Sequence, residues 1–157
     1  MPSTILGLPL HPLLVHATVV FVPLATVLVV MAVLWPRFRA WAGPLPAAVS
    51  LVALILTPLS TATGEDLEHD LPHSALIEKH AELGDQLLPL TIALFVFSAA
   101  FWWLTRDASA RSRWPRALVI GVGALAIAAS VGTAVQVARI GHSGAEAAWS
   151  DTGSASG

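Results

Sequence analysis

Four long apolar stretches constrain this chain more than any other feature. They cover about residues 13–35, 45–63, 87–104 and 117–138, with polar or charged segments between them. Each is close to the ~20 residues that cross a bilayer as a helix. Lipid offers the backbone no hydrogen-bonding partner, so a spanning segment must be a helix or part of a closed barrel. None of the stretches alternates apolar and polar residues as a barrel strand does. The expected fold is all-α: a membrane protein built as an antiparallel bundle of four transmembrane helices. Charged residues make up 11% of the chain, against roughly 25% in soluble domains, which agrees. Residues 1–149 read as one transmembrane domain. Residues 150–157 are small and polar and read as a disordered tail.

Charge sets the expected orientation. Arg37 and Arg39 lie between stretches one and two. Arg106, Arg111, Arg113 and Arg116 lie between stretches three and four, where Asp107 is the one acid. The other side carries Lys79 and Arg139 against nine of the ten acids. Cytoplasmic loops hold the excess of Lys and Arg, so both termini are expected outside. Trp35, Trp41, Trp102, Trp103 and Trp114 gather at the arginine-rich ends, as an interfacial belt would. Residues 1–10 hold no basic residue, which argues against a cleaved secretory leader.

Several residues shape the helices. Pro23, Pro58 and Pro89 fall inside stretches one, two and three and should bend them. Ser74 is placed to cap the third helix. In the fourth stretch Ala124, Ala128 and Gly132 recur every fourth residue, continuing to Gln136. Ala126, Ser130, Ala134 and Ala138 do the same on a neighbouring face. Small residues at that spacing let backbones approach closely, so this helix is expected to pack tightly.

The six histidines carry the chemical interest. His11, His16, His69, His73, His80 and His142 all fall at the expected outer side. Imidazole is the usual metal and haem ligand, and an ionisable group inside a span suggests function. His16 lies about one turn inside the first stretch, where it needs hydrogen-bonding partners or a metal. His11 precedes Pro12 and should be extended, at the mouth of that span. The five-residue offset between them is not a same-face helical spacing. His80 lies in the first turns of the third helix. Gly84, one turn later, would let a flat group such as a porphyrin edge approach the backbone. His142 follows the fourth stretch, and nearby Arg139 could pair with a carboxylate, including a haem propionate. His69 and His73 read as residues of a solvated acidic loop.

Four segments together carry a resemblance. They are Leu8-Pro-Leu-His-Pro-Leu-Leu-Val-His16, Thr63-Gly64-Glu65, His80-Ala-Glu-Leu-Gly84, and Gly141-His-Ser-Gly-Ala145 with Trp149. The chain resembles the bacterial four-helix membrane proteins catalogued as domain of unknown function 2231. The resemblance implies four spans and a bacterial cytoplasmic membrane, and it implies no established activity. Some relatives are fused to Rieske-type iron–sulfur domains, which implies a redox setting. This chain has no cysteine for such a cluster.

Three functions are open. The first is electron transfer through haem b or another redox metal, with His16 and His80 as axial ligands, Gly84 making room and Arg139 near a propionate. His11 with His142 is a second candidate pair. The second is a zinc or copper module that draws on His11, His16, His80 and His142, with carboxylates from the acidic loop. The third is a cofactor-free structural or partner subunit, with His16 bonding across helices. Expected partners are the lipid bilayer and either a redox protein or further copies of the chain. No phosphate loop, nucleophile elbow or zinc-protease helix is present in the sequence, so no catalytic residue is assigned. The few arginines read as topology determinants, not as a nucleic-acid surface.

Overall fold

The computed structural model describes residues 4–5, 8–69, 74–107, 109 and 113–149. A two-residue antiparallel pairing, β1 (Thr4–Ile5) with β2 (Leu8–Pro9), precedes the bundle. Helices then follow: α1 (Leu10–Leu34), α2 (Pro36–Ala42), α3 (Leu45–His69), α4 (Ala75–Asp85), α5 (Leu87–Thr105) and α6 (Arg116–Trp149). The α1, α3 and α6 segments and the α4–α5 pair are long and apolar enough to cross a membrane. Around the bundle the order is α1, α3, α5, α6, with neighbours antiparallel. The all-α four-span architecture expected from the sequence is the one observed.

Prolines and a glycine set the joints. Trp35 is extended, at φ −118° and ψ 98°, because Pro36 follows it. Pro36 then opens α2 at a position where its missing N–H costs nothing. That missing donor would have served the Ala32 carbonyl four residues back. The Arg39 guanidinium donates to it instead, Nη1 to oxygen at 3.1 Å. Gly43 turns the chain into α3 at φ 55°, a conformation that side chains with a Cβ resist. Ser74 caps α4 by accepting from the Leu76 N–H at 3.3 Å. The third span is not one helix. It breaks at Gln86 between α4 and α5, because Pro89 cannot donate to the carbonyl of Asp85 and its ring crowds that oxygen.

Two expected endings move outward. α3 continues past Gly64 to His69, and α6 continues past Gly141 to Trp149. The segments beyond those glycines hold Ala, Glu and Leu and no proline, so nothing there stops a helix. His142 is therefore helical and does not sit in a loop after the span. The expected loop residue His73 and the tail 150–157 lie outside the described residues, and of His69 only the helical backbone is described.

The bundle is polar inside and apolar outside. Val22, Val29, Ala53, Leu94 and Ala126 form a small central core. Around it lie buried hydroxyls, including Thr57, Ser60, Thr91, Ser98, Ser130 and Thr133. Most hydroxyls bond to a carbonyl one turn back, as Thr57 does to Ala53 at 2.8 Å and Ser130 to Ala126 at 2.8 Å. Large aliphatic residues face outward instead: Val20 is 61% exposed and Ile120 60%. In water that arrangement would forfeit the hydrophobic effect. In lipid it costs nothing, and small or hydroxyl residues at the interfaces let helices approach. The small residues of α6 divide accordingly. Ala126 and Ser130 face the core and Gly132 meets Leu90, while Ala124, Ala128, Ala134 and Ala138 lie on the exposed face. The tight packing expected of both series holds for Ala126 and Ser130 in one and for Gly132 and Gln136 in the other.

Candidate two-histidine site

His11 is helical, in the first turn of α1. The extended backbone expected before Pro12 is not adopted. Within a first turn the N–H groups have no intrahelical acceptor, so Pro12 costs no hydrogen bond there and the helix begins ahead of it. This start aims the His11 side chain across to α3. Its Nδ1 lies 3.2 Å from the Thr63 hydroxyl. The ring is seated on Gly64: a Cβ there would stand 3.0 Å from the His11 Cε1. Only glycine leaves that space.

The same arrangement recurs in the second half of the chain. His80, on α4, reaches across to α6. Its Nδ1 lies 3.0 Å from the Ser143 hydroxyl. A Cβ on Gly144 would stand 3.0 Å from the His80 Cε1. Each half therefore supplies one half-buried imidazole, held by a hydroxyl and laid on the glycine that follows it in sequence. The His11 and His80 rings are close enough to interact electrostatically. The structure thus brings together the histidines of α1 and α4, at the end of the bundle remote from Trp35, Trp41, Trp102, Trp103 and Trp114.

His16 is not part of this group. It is exposed, and its Nδ1 bonds to the Pro12 carbonyl of its own helix. Five residues turn a helix by about 140° relative to a whole number of turns, so the inward rotation of His11 sends His16 outward. The sequence reading had placed His16 as the buried member of the pair. His142 is also exposed, with Nε2 3.2 Å from Glu146, which in turn lies 3.6 Å from Lys79 on α4. Arg139 is exposed on α6. Gly84 gives its open side to α3, where a Cβ would make ordinary contact with Thr61 at 3.7 Å. The argument that glycine admits a flat group applies instead at Gly64 and Gly144, and the flat groups there are the imidazoles themselves. Among the described residues, no three of His, Cys, Asp and Glu assemble as a metal-ligand group.

A family model described as predicted membrane protein (DUF2231) matches residues 7–156. The chain belongs to that family. It is an integral membrane protein, as the inside-out burial also indicates. The match takes in both histidines and both hydroxyl–glycine steps. No curated protein and no solved structure matches the chain.

Thr63 and Ser143 are the site residues that sequence reasoning passed over. A signal for them was present. Thr63-Gly64-Glu65 and Ser143-Gly144-Ala145 each close an antiparallel helix pair that a histidine opens. The two hairpins share that hydroxyl–glycine step, each time on the helix to which the histidine crosses.

Proposed function

We propose that this family member carries a redox centre, haem b, between His11 and His80, and passes electrons at the outer face of a bacterial cytoplasmic membrane. The observation that carries the reading is the convergence of two imidazoles from different helices, each oriented by a hydroxyl. Metal-bound histidines characteristically engage their second ring nitrogen with an outer partner that fixes the ring. Both rings here have such a partner at Nδ1. The number of side chains also favours haem over a bare ion. Zinc takes three or four protein ligands, whereas a porphyrin supplies the equatorial ligands and asks the protein for two axial ones.

Within this reading each residue has a task. His11 and His80 hold the centre from α1 and α4. Thr63 and Ser143 fix their ring planes, and Gly64 and Gly144 let the rings lie against α3 and α6. Bound between them, haem would supply an iron that accepts and donates single electrons. The outer-face placement follows from the arginine-rich connections at the other end of the bundle. This reading replaces His16 by His11 in the pair expected from sequence, and it gives Gly84 and Arg139 no part.

A second reading has its own support. Each ring already fills the space above its glycine, so the two contacts could serve to fasten neighbouring helices in a cofactor-free subunit. Protein purified in detergent from a haem-supplied host separates the two. The haem reading expects about one haem per chain, and its loss in both His11→Ala and His80→Ala but not in His16→Ala. Colourless wild-type protein, folded and stable, would leave the fastening role in its place.

A further inference from the structure

We propose that Ser143 and Thr63 are positioning residues that select one tautomer of the two imidazoles and so leave Nε2 of each as the lone-pair donor. The proposal starts from the hydroxyl protons. The Ser143 hydroxyl lies 2.9 Å from the Ile140 carbonyl of its own helix. A carbonyl can only accept, so the hydroxyl proton is committed to it. The oxygen then faces His80 Nδ1 as an acceptor, at 3.0 Å. Nδ1 must carry the proton. In a neutral imidazole the other nitrogen, Nε2, then holds the free lone pair.

The first half repeats the logic. The Thr63 hydroxyl lies 3.0 Å from the Leu59 carbonyl and 3.1 Å from that of Ser60. Its proton is committed in the same way, and its oxygen faces His11 Nδ1 at 3.2 Å. An ordinary side-chain partner able to donate or accept would leave the choice open. A hydroxyl that donates to a helix carbonyl biases the ring toward Nδ1–H. Two half-buried imidazoles at one end of the bundle are thereby prepared as electron-pair donors.

The test is nitrogen NMR of histidine-labelled protein in detergent, without added haem, near pH ~8, where a histidine of ordinary pKa is neutral. The proposal expects His11 and His80 each as the Nδ1–H tautomer. Ser143→Ala should convert His80 to a mixture of tautomers or to Nε2–H and leave His11 unchanged. Ser143→Thr should restore the wild-type pattern. Thr63→Val should shift His11 in the same way and leave His80 unchanged. His80 found as Nε2–H in the wild type would overturn the proposal, as would His80 unaltered in folded Ser143→Ala. The measurement needs no cofactor. A colourless preparation would defeat the haem reading alone, and a wrong tautomer would defeat this proposal alone.

Discussion

The two helical hairpins of this bundle, α1 with α3 and α4–α5 with α6, share one contact and differ in what lies beneath it. Both begin with a histidine that crosses to a hydroxyl and a glycine on the returning helix. In the first hairpin the next layer is a hydroxyl pair, Thr18 with Ser60 at 2.6 Å, between two unbroken helices. In the second, the break at Gln86 leaves carbonyls near the end of α4 without intrahelical donors. Gln136 on α6 repairs it, donating from Nε2 to the Leu83 carbonyl at 2.8 Å. The histidine contact is thus held constant while the supporting layer is rebuilt around a proline-induced break. The contact is what the two hairpins share, and the layer beneath it is what differs.

The contrast can be broken or sharpened experimentally. The largest effect is topological. The chain has no cysteine, so single cysteines report cleanly. If the hairpins are parallel copies that open on the outer face, Glu65→Cys and Ala145→Cys should both react in intact cells with a membrane-impermeant maleimide. Arg37→Cys and Arg116→Cys should not. Labelling from opposite sides within either pair would break the equivalence.

Next come the glycines. Gly64→Ala and Gly144→Ala each bring a methyl group 3.0 Å from an imidazole carbon. Overpacking of that kind costs about 1–3 kcal/mol, and thermal denaturation in detergent should show similar losses for the two. Gly141→Ala, with nothing within 4 Å of the new Cβ, should be neutral or gain up to about 1 kcal/mol from helix propensity. A smaller difference separates the supporting layers. Gln136→Leu takes a side-chain donor from the part-buried Leu83 carbonyl and should cost about 1–3 kcal/mol. Thr18→Val removes a neutral hydroxyl pair from the first hairpin and should cost about 0.5–1.5 kcal/mol. Equal or reversed costs would show that the break at Gln86 places no special demand on Gln136.

The fold was legible because lipid reduces the choices. Stretches of the right length with arginine and tryptophan at one end leave few alternatives to a helical bundle. The site was half legible. The histidine end was plain from residue placement, and His80 was identified. His16 was preferred to His11 because it stood deeper in the span and because Pro12 was taken to hold His11 outside the helix. Helix starts tolerate proline, and once His11 is helical it stands about 140° around the axis from His16, so the two do not share a face. Depth along the sequence was visible, whereas which face of α1 turns inward was not. Likewise nothing in the sequence marked Gly64 and Gly144 as helical, since they lie beyond the second and fourth apolar stretches, where glycine commonly follows a helix. They lie within helices because an imidazole needs their missing side chains.

The most direct test of a site formed by His11 and His80 is imidazole rescue of His11→Gly and His80→Gly, read in the visible spectrum. The wild-type protein should show a Soret band that shifts on dithionite reduction, with sharp α and β bands. Each variant should lose that low-spin pattern and regain it when free imidazole is added, while His16→Gly keeps it throughout. A low-spin spectrum that survives in His11→Gly and disappears in His16→Gly would contradict the account. A wild-type protein without visible absorption would contradict it outright.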